Sequence, residues 1–133
     1  MNKKDIYVKE NEKYLEALKG QEGIKALPGG SLYKTIAAGT GDQRPQLRSV
    51  VTCHYNGSLI DGTVFDSSYD RGYPEAFRVS DLIAGFQVAL LSMHVGDHWQ
   101  VYIPASEGYG KRAAGDIPGG STLVFEIELI SIN

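Results

Sequence analysis

Phe65 and Asp66 lie side by side in the run Val64-Phe65-Asp66-Ser67-Ser68, and Arg71 follows a short polar turn. Farther along, Tyr109 stands between Gly108 and Gly110, ahead of an alternating run from Leu123 to Leu129. Glycines on either side hold a tyrosine on a tight loop, where its ring can face a cavity and its hydroxyl can reach a ligand. An aromatic ring, a carboxylate and a phenol among apolar side chains suit a pocket that turns a peptide bond without breaking it. The chain has eight Tyr, four Phe and one Trp. Of these, Tyr55, Phe65, Phe77, Phe86, Trp99, Tyr109 and Phe125 fall in or beside predicted elements. Singly, each reads as core; their company with Asp66, Arg71 and the glycines argues for a site.

Bond-breaking chemistries have less support. The nucleophile signature Gly-x-Ser-x-Gly is absent. His94 and His98 have a spacing that suits a metal only on a helix, and Val95-Gly96-Asp97 between them reads as a turn into a strand. No metal and no cofactor are expected, and His54 reads as structural. Gly108-Tyr109-Gly110-Lys111 resembles the end of a phosphate-binding loop. However, Arg112 replaces its Ser or Thr, and Ala105 stands where its first glycine is required. Asn56-Gly57-Ser58 fits a glycosylation sequon, but Asn-Gly is also a turn dipeptide. A net charge of −3 gives a nucleic-acid partner no electrostatic support. The one cysteine, Cys53, excludes an internal disulfide and a multi-Cys zinc site, and its strand-like surroundings predict a buried core thiol.

These residues need a frame. At 133 residues, 42% hydrophobic and 22% charged, the chain suits one globular domain with a real core. No stretch approaches the roughly 18 apolar residues of a membrane span. Met1-Asn2-Lys3-Lys4 begins like a secretory leader, but Asp5, Lys9 and Glu10 interrupt the apolar run. A cytoplasmic location is expected, with a periplasmic or exported one as the alternative if a leader has been removed. Tyr14, Leu15 and Leu18 mark one face of a helix over 8–20, whose narrow apolar stripe needs a neighbour. This arm is either solvated or a means of forming a homodimer. Leu27-Pro28-Gly29-Gly30 then opens the main domain, dividing the chain into an extension, 1–28, and a domain, 29–133.

Beyond that point the pattern becomes β. Strands are predicted over 31–37, 48–60, 64–65, 77–79, 97–103 and 121–132, with Asp61-Gly62 as a hairpin turn. In the last of them Leu123, Phe125, Ile127 and Leu129 point inward and Glu126 and Glu128 outward. One helix interrupts, over 80–93, with Leu82, Phe86, Ala89, Leu90 and Met93 on its stripe and Ser80 or Asp81 as its cap. The outcome is an α+β fold: a curled antiparallel sheet of five to six strands, a half-barrel, wrapped around one short α-helix.

The ordered runs His54-Tyr55-Asn56-Gly57, Asp61 to Ser68, Arg71, Val95-Gly96, Ile103-Pro104, Tyr109-Gly110, Ile117-Pro118 and Thr122 to Leu129 resemble the FKBP family of prolyl isomerases, which also bind macrolide immunosuppressants. The Lys/Glu-rich lead-in is similar to that of bacterial members with an N-terminal helical extension. The resemblance implies peptidyl-prolyl cis-trans isomerisation of proline-containing polypeptides, with a macrolide as a candidate inhibitor. It implies a pocket walled by Tyr55, Phe65, Phe86 and Phe125, with Phe77 at its side and Asp66 and Tyr109 as polar contacts. Leu82 and Ile83 would precede the helix, the Ile83 N–H gripping a ligand carbonyl. Ile117 would cover the pocket, and Arg71 would brace Asp66 or Tyr109. Three positions depart from common family patterns: Phe86 for a Trp, Glu75 for an aromatic residue, and Asp116 for an apolar one. They bear on macrolide affinity and substrate preference. The alternative reading is a proline-segment binding module or a holdase chaperone with little turnover.

Overall fold

A computed structural model describes residues 1–133. Helix α1 spans Lys3–Leu18 and starts where the Asn2 side chain accepts the Asp5 N–H at 2.9 Å, satisfying one of the helix's first unpaired donors. It begins well before residue 8, because its first turns carry no apolar periodicity for a sequence reading to follow. Then come β1 (Lys25–Ala26), β2 (Leu32–Ala37), β3 (Val50–Ser58), β4 (Val64–Ser67), α2 (Ser68–Arg71), β5 (Glu75–Arg78), α3 (Ala84–Ser92), β6 (His98–Ile103) and β7 (Leu123–Ile132). The six longer strands form the expected antiparallel sheet around α3, and two-residue β1 adds an edge that the sequence did not signal.

The sheet order is β1-β2-β6-β7-β3-β4, and β5 also pairs with β3. One edge of β3 is taken by β7 along nearly its whole length. The other is divided, with β5 opposite residues 50–53 and β4 opposite residues 56–58. Alternation along β3 turns Val51, Cys53, Tyr55 and Gly57 inward. Asn56-Gly57 therefore sits inside the strand expected over 48–60, and the dipeptide makes no turn here. The β3–β4 connection instead closes through Gly62 N–H to Leu59 C=O at 3.0 Å and Leu59 N–H to Thr63 C=O at 2.9 Å.

Helix α3 is shorter than the predicted 80–93. Val79–Asp81 forms a 3-10 turn, and Ile83 is extended at φ −60°, ψ 152° with no side-chain cap. Ser80 and Asp81 thus precede the helix without capping it. Phe86, Ala89 and Leu90 of α3, with Met93 just beyond it, pack against Val51, Cys53, Val101, Ile103, Leu123, Ile127 and Leu129 in one core. Burial pushes the Cys53 thiol up to about 12. The helix rests directly on β6 at Gly85, where a Cβ would overlap the Ile103 side chain. Gly85→Ala should therefore destabilise the protein by roughly 1–3 kcal/mol, as overpacking does. Urea unfolding of the variant checks this, and an unchanged midpoint would show that the helix can lift without cost.

Candidate functional site

Tyr55 lies at the gap on the divided edge of β3, where neither β4 nor β5 pairs with its backbone. The hydroxyl of fully buried Ser68 fills that gap. It accepts the Tyr55 N–H at 2.7 Å, lies 3.2 Å from the Tyr55 C=O, and also meets His54 Nδ1 at 2.8 Å. Ser68 opens α2, which is capped by the Ser67 side chain on the Asp70 N–H. Neither serine was singled out from the sequence; the available signal was a Ser-Ser pair directly before a short polar turn. His54, read as structural, takes part in this anchoring and stacks on Tyr69.

Around the Tyr55 ring stand Phe77 at 5.7 Å, Phe86 at 6.0 Å and Phe125 at 6.5 Å between centroids. Phe86 is packed edge-on to Phe125 (5.2 Å) and to Phe77 (5.8 Å), and Phe65 edge-on to Phe125 (5.6 Å). Such pairs contribute about 0.5–1.5 kcal/mol each beyond their area. Gly57 makes the arrangement possible: a Cβ there would stand 2.7 Å from both the Phe65 and Phe125 rings. Tyr55, Phe86 and Phe125 are buried, whereas Phe65, Phe77, Leu82 and Ile83 pack on the same core and remain half-exposed. The cluster meets solvent along these four residues.

Polar groups ring the phenol. The Tyr55 hydroxyl donates to Asp66 Oδ2 at 2.7 Å and accepts from an Arg71 guanidinium nitrogen at 2.9 Å. Arg71 also bonds Asp66 Oδ1 at 2.6 Å and Glu75 Oε1 at 3.0 Å, and its guanidinium lies 5.6 Å from the Tyr55 ring centroid. Both Asp66 oxygens are thus engaged, and none of Arg71's bonds goes to Tyr109. Glu75, noted in the sequence only as a departure, is a working partner of Arg71.

Two donors named in the sequence are unspent. The Ile83 N–H has no partner within the chain, because the extended backbone before α3 leaves it outside the helical ladder. Tyr109 is 44% exposed, and its hydroxyl is likewise unpartnered; no ring contact joins it to the cluster. Ile117 is buried in the core and closes a small bridge with Ala114. His98 binds Glu126 at 2.9 Å and His94 accepts from Arg44 at 3.1 Å, so the two histidines face different partners. A groove of about 630 Å³ lies away from the rings, between α1 and the segments at 104–111 and 120–122.

Residues 41–130 match the family model for FKBP-type peptidyl-prolyl cis-trans isomerase. The chain belongs to this family. Among FKBP relatives, it is 47% identical over 120 residues to the "Outer membrane protein MIP" of Legionella longbeachae, covering 90% of this chain and 51% of that protein. It is 46% identical to the "FKBP-type 22 kDa peptidyl-prolyl cis-trans isomerase" of Escherichia coli, covering 92% and 60%. The chain therefore spans about half to three-fifths of the length of these curated FKBP relatives. A crystal structure of a peptidyl-prolyl cis-trans isomerase from Pseudomonas syringae pv. tomato superposes with a TM-score of 0.90 at 34% identity, covering 100% of this chain and 98% of the other.

Burial, then the Asp66 hydrogen bond, raises the Tyr55 phenol from 10.0 up to about 12, against the opposing pull of Arg71. The folded state thus favours the neutral phenol. Its contribution to stability is fully present below pH 10.0 and is lost as pH rises toward 12. The unfolding free-energy difference between the parent and Tyr55→Phe should hold constant up to that lower pH and shrink above it. Urea titrations across the range measure it, and a difference that persists through the higher pH would contradict a buried, Asp66-bonded phenol.

Proposed function

We propose that the ring cluster around Tyr55 is a peptidyl-prolyl cis-trans isomerase site that receives the proline of an X-Pro bond. The observation that carries this reading is an apolar floor of Tyr55, Phe86 and Phe125 beside an unpartnered Ile83 N–H. Rotation about a peptide bond costs about 18–20 kcal/mol because resonance must be broken, and X-Pro exchange without help takes tens to hundreds of seconds. The planar amide is more polar than the twisted one, so a pocket that strips water from it disfavours the planar form. Phe65 and Phe77 form the half-exposed walls, Leu82 lies before the helix and Ile117 covers the pocket. The Ile83 N–H and the Tyr109 hydroxyl hold the substrate carbonyls in a turn that favours twisting. Each ~1.4 kcal/mol removed from the barrier gives a tenfold rate gain, so several modest contributions suffice. No covalent intermediate is needed.

Asp66 acts by orientation: with one oxygen on Tyr55 and the other on Arg71, it fixes the phenol at the pocket wall. Macrolides would enter the same pocket over Phe86, which offers them a ring without an indole N–H. The isomerase domain is residues 29–133 and the extension residues 1–28. Tyr7, Asn11 and Tyr14 of α1 meet residues of this same chain, which supports an arm docked on its own domain over a solvated one. No helix is long and apolar enough to cross a membrane. The outer-membrane name of the Legionella longbeachae relative favours the exported alternative over a cytoplasmic location.

Phe65→Ala should lower kcat/KM on an X-Pro-Phe peptide roughly 10- to 100-fold, or about 1.4–2.8 kcal/mol. Its near-UV circular dichroism should still report a folded domain. Tyr109→Phe keeps the ring and should lose only about two- to fivefold. A protease-coupled assay reads both. Unchanged rates in Phe65→Ala would remove that residue from the site, and an inactive parent protein would leave the proline-segment binding module or the holdase chaperone as the reading.

A further inference from the structure

We infer that α1 is a working part of this site, with Tyr7 and Asn11 acting as positioning residues for the 108–122 segment that carries Tyr109 and Ile117. The inference rests on the isomerase reading of the ring cluster. Asn11 is the one buried residue of α1, 1% exposed on a helix otherwise open to solvent or half-buried. A carboxamide placed there must be bonded on both sides, and it is. Its nitrogen donates to the Tyr7 C=O and its oxygen accepts the Thr122 N–H, each at 2.8 Å, while the Thr122 hydroxyl donates to the Asn11 C=O at 3.4 Å.

One turn earlier, the Tyr7 and Ser121 hydroxyls lie 2.6 Å apart. Ser121 directs its hydrogen to the Pro118 C=O at 2.7 Å, so Tyr7 is the donor in that pair. Pro118 directly follows Ile117. The Gly120 N–H in turn holds the Gly110 C=O at 2.9 Å, directly after Tyr109. Gly120 has φ +80°, and a Cβ there would stand 2.6 Å from Val8 Cγ2, so the helix sits on bare backbone.

Little else fixes this side of the segment. Beyond the 3-10 turn Ala105–Glu107, residues 108–122 hold only the Ala114–Ile117 bridge as regular structure. The 630 Å³ groove opens between the segment and α1, lined by Val8, Asn11, Gly110, Lys111, Gly120 and Thr122. On its α1 side the segment is held across this groove mainly by these hydrogen bonds, while Ile117 anchors its other side in the core. Releasing the ties lowers the fraction of molecules with Tyr109 and Ile117 in place, and apparent affinity falls by that fraction. Saturating substrate draws the molecules back to the competent arrangement, so the loss appears in KM, with kcat little changed.

The test uses the full chain with Tyr7→Phe, Asn11→Ala and, as a control on exposed α1 surface, Lys13→Ala. Kinetics on a proline peptide are measured well below each melting temperature, together with amide hydrogen exchange over 108–122. Tyr7→Phe and Asn11→Ala should raise KM about three- to tenfold at nearly constant kcat. The Thr122 and Gly120 amides should exchange faster, with the β3 and β7 amides unchanged, and Lys13→Ala should match the parent. Should Asn11→Ala fail to fold, Tyr7→Phe, which removes a single oxygen, decides alone. Lowered melting temperatures with KM, kcat and segment exchange at parental values would overturn the inference. A parent without isomerase activity would sink the isomerase reading and the positioning role together, while the exchange data would still report whether α1 ties the segment.

Discussion

The outer edge of β3 carries two short partners with a gap between them, and the Ser68 hydroxyl closes that gap on the backbone of Tyr55. A buried backbone pair left open there would carry a desolvation cost of about 1–3 kcal/mol per group. Closing it with a side chain leaves the sheet free to turn away on either side, so β4 brings Phe65 and Asp66 to one flank of Tyr55 and β5 brings Phe77 to the other. The ring cluster and the carboxylate–guanidinium pair both follow from where that edge is interrupted.

The phenol of Tyr55 joins the two halves. Its ring belongs to the apolar floor and its oxygen to the polar rim, where Asp66 accepts and Arg71 donates. Glu75 gives Arg71 a second carboxylate, so the guanidinium is held in place by two anions and a phenol. These ion pairs are solvent-exposed and add little to stability by themselves. Their effect is geometric: they fix the edge of a surface that must otherwise stay apolar.

Much of this was legible in the residues. Strict alternation in β7 showed its inward face, and the helical spacing of Phe86, Ala89 and Leu90 showed what the sheet encloses. Phe65 beside Asp66, with Arg71 after a polar turn, marked the polar rim. What escaped detection had no periodic signature. Gly57 looks like a turn residue until the rings that crowd it are known, and Ser68 becomes an anchor only because two strands fail to meet. The start of α1 was missed for a related reason: Asn11 is polar, so a search for apolar stripes passes over the most buried residue of the helix. The early start of α3 failed for local reasons, since Ser80 and Asp81 are good capping types spent in a 3-10 turn.

The single sulfhydryl has a consequence of its own. Cys53 lies on the inner face of β3 with no solvent exposure, and burial raises its pKa to about 12. Reactivity toward oxidants and electrophiles belongs to the thiolate, whose population at neutral pH is vanishingly small at such a value. Sealed from solvent and held as the neutral thiol, Cys53 serves this domain as a small apolar core side chain that oxidants and electrophiles do not reach.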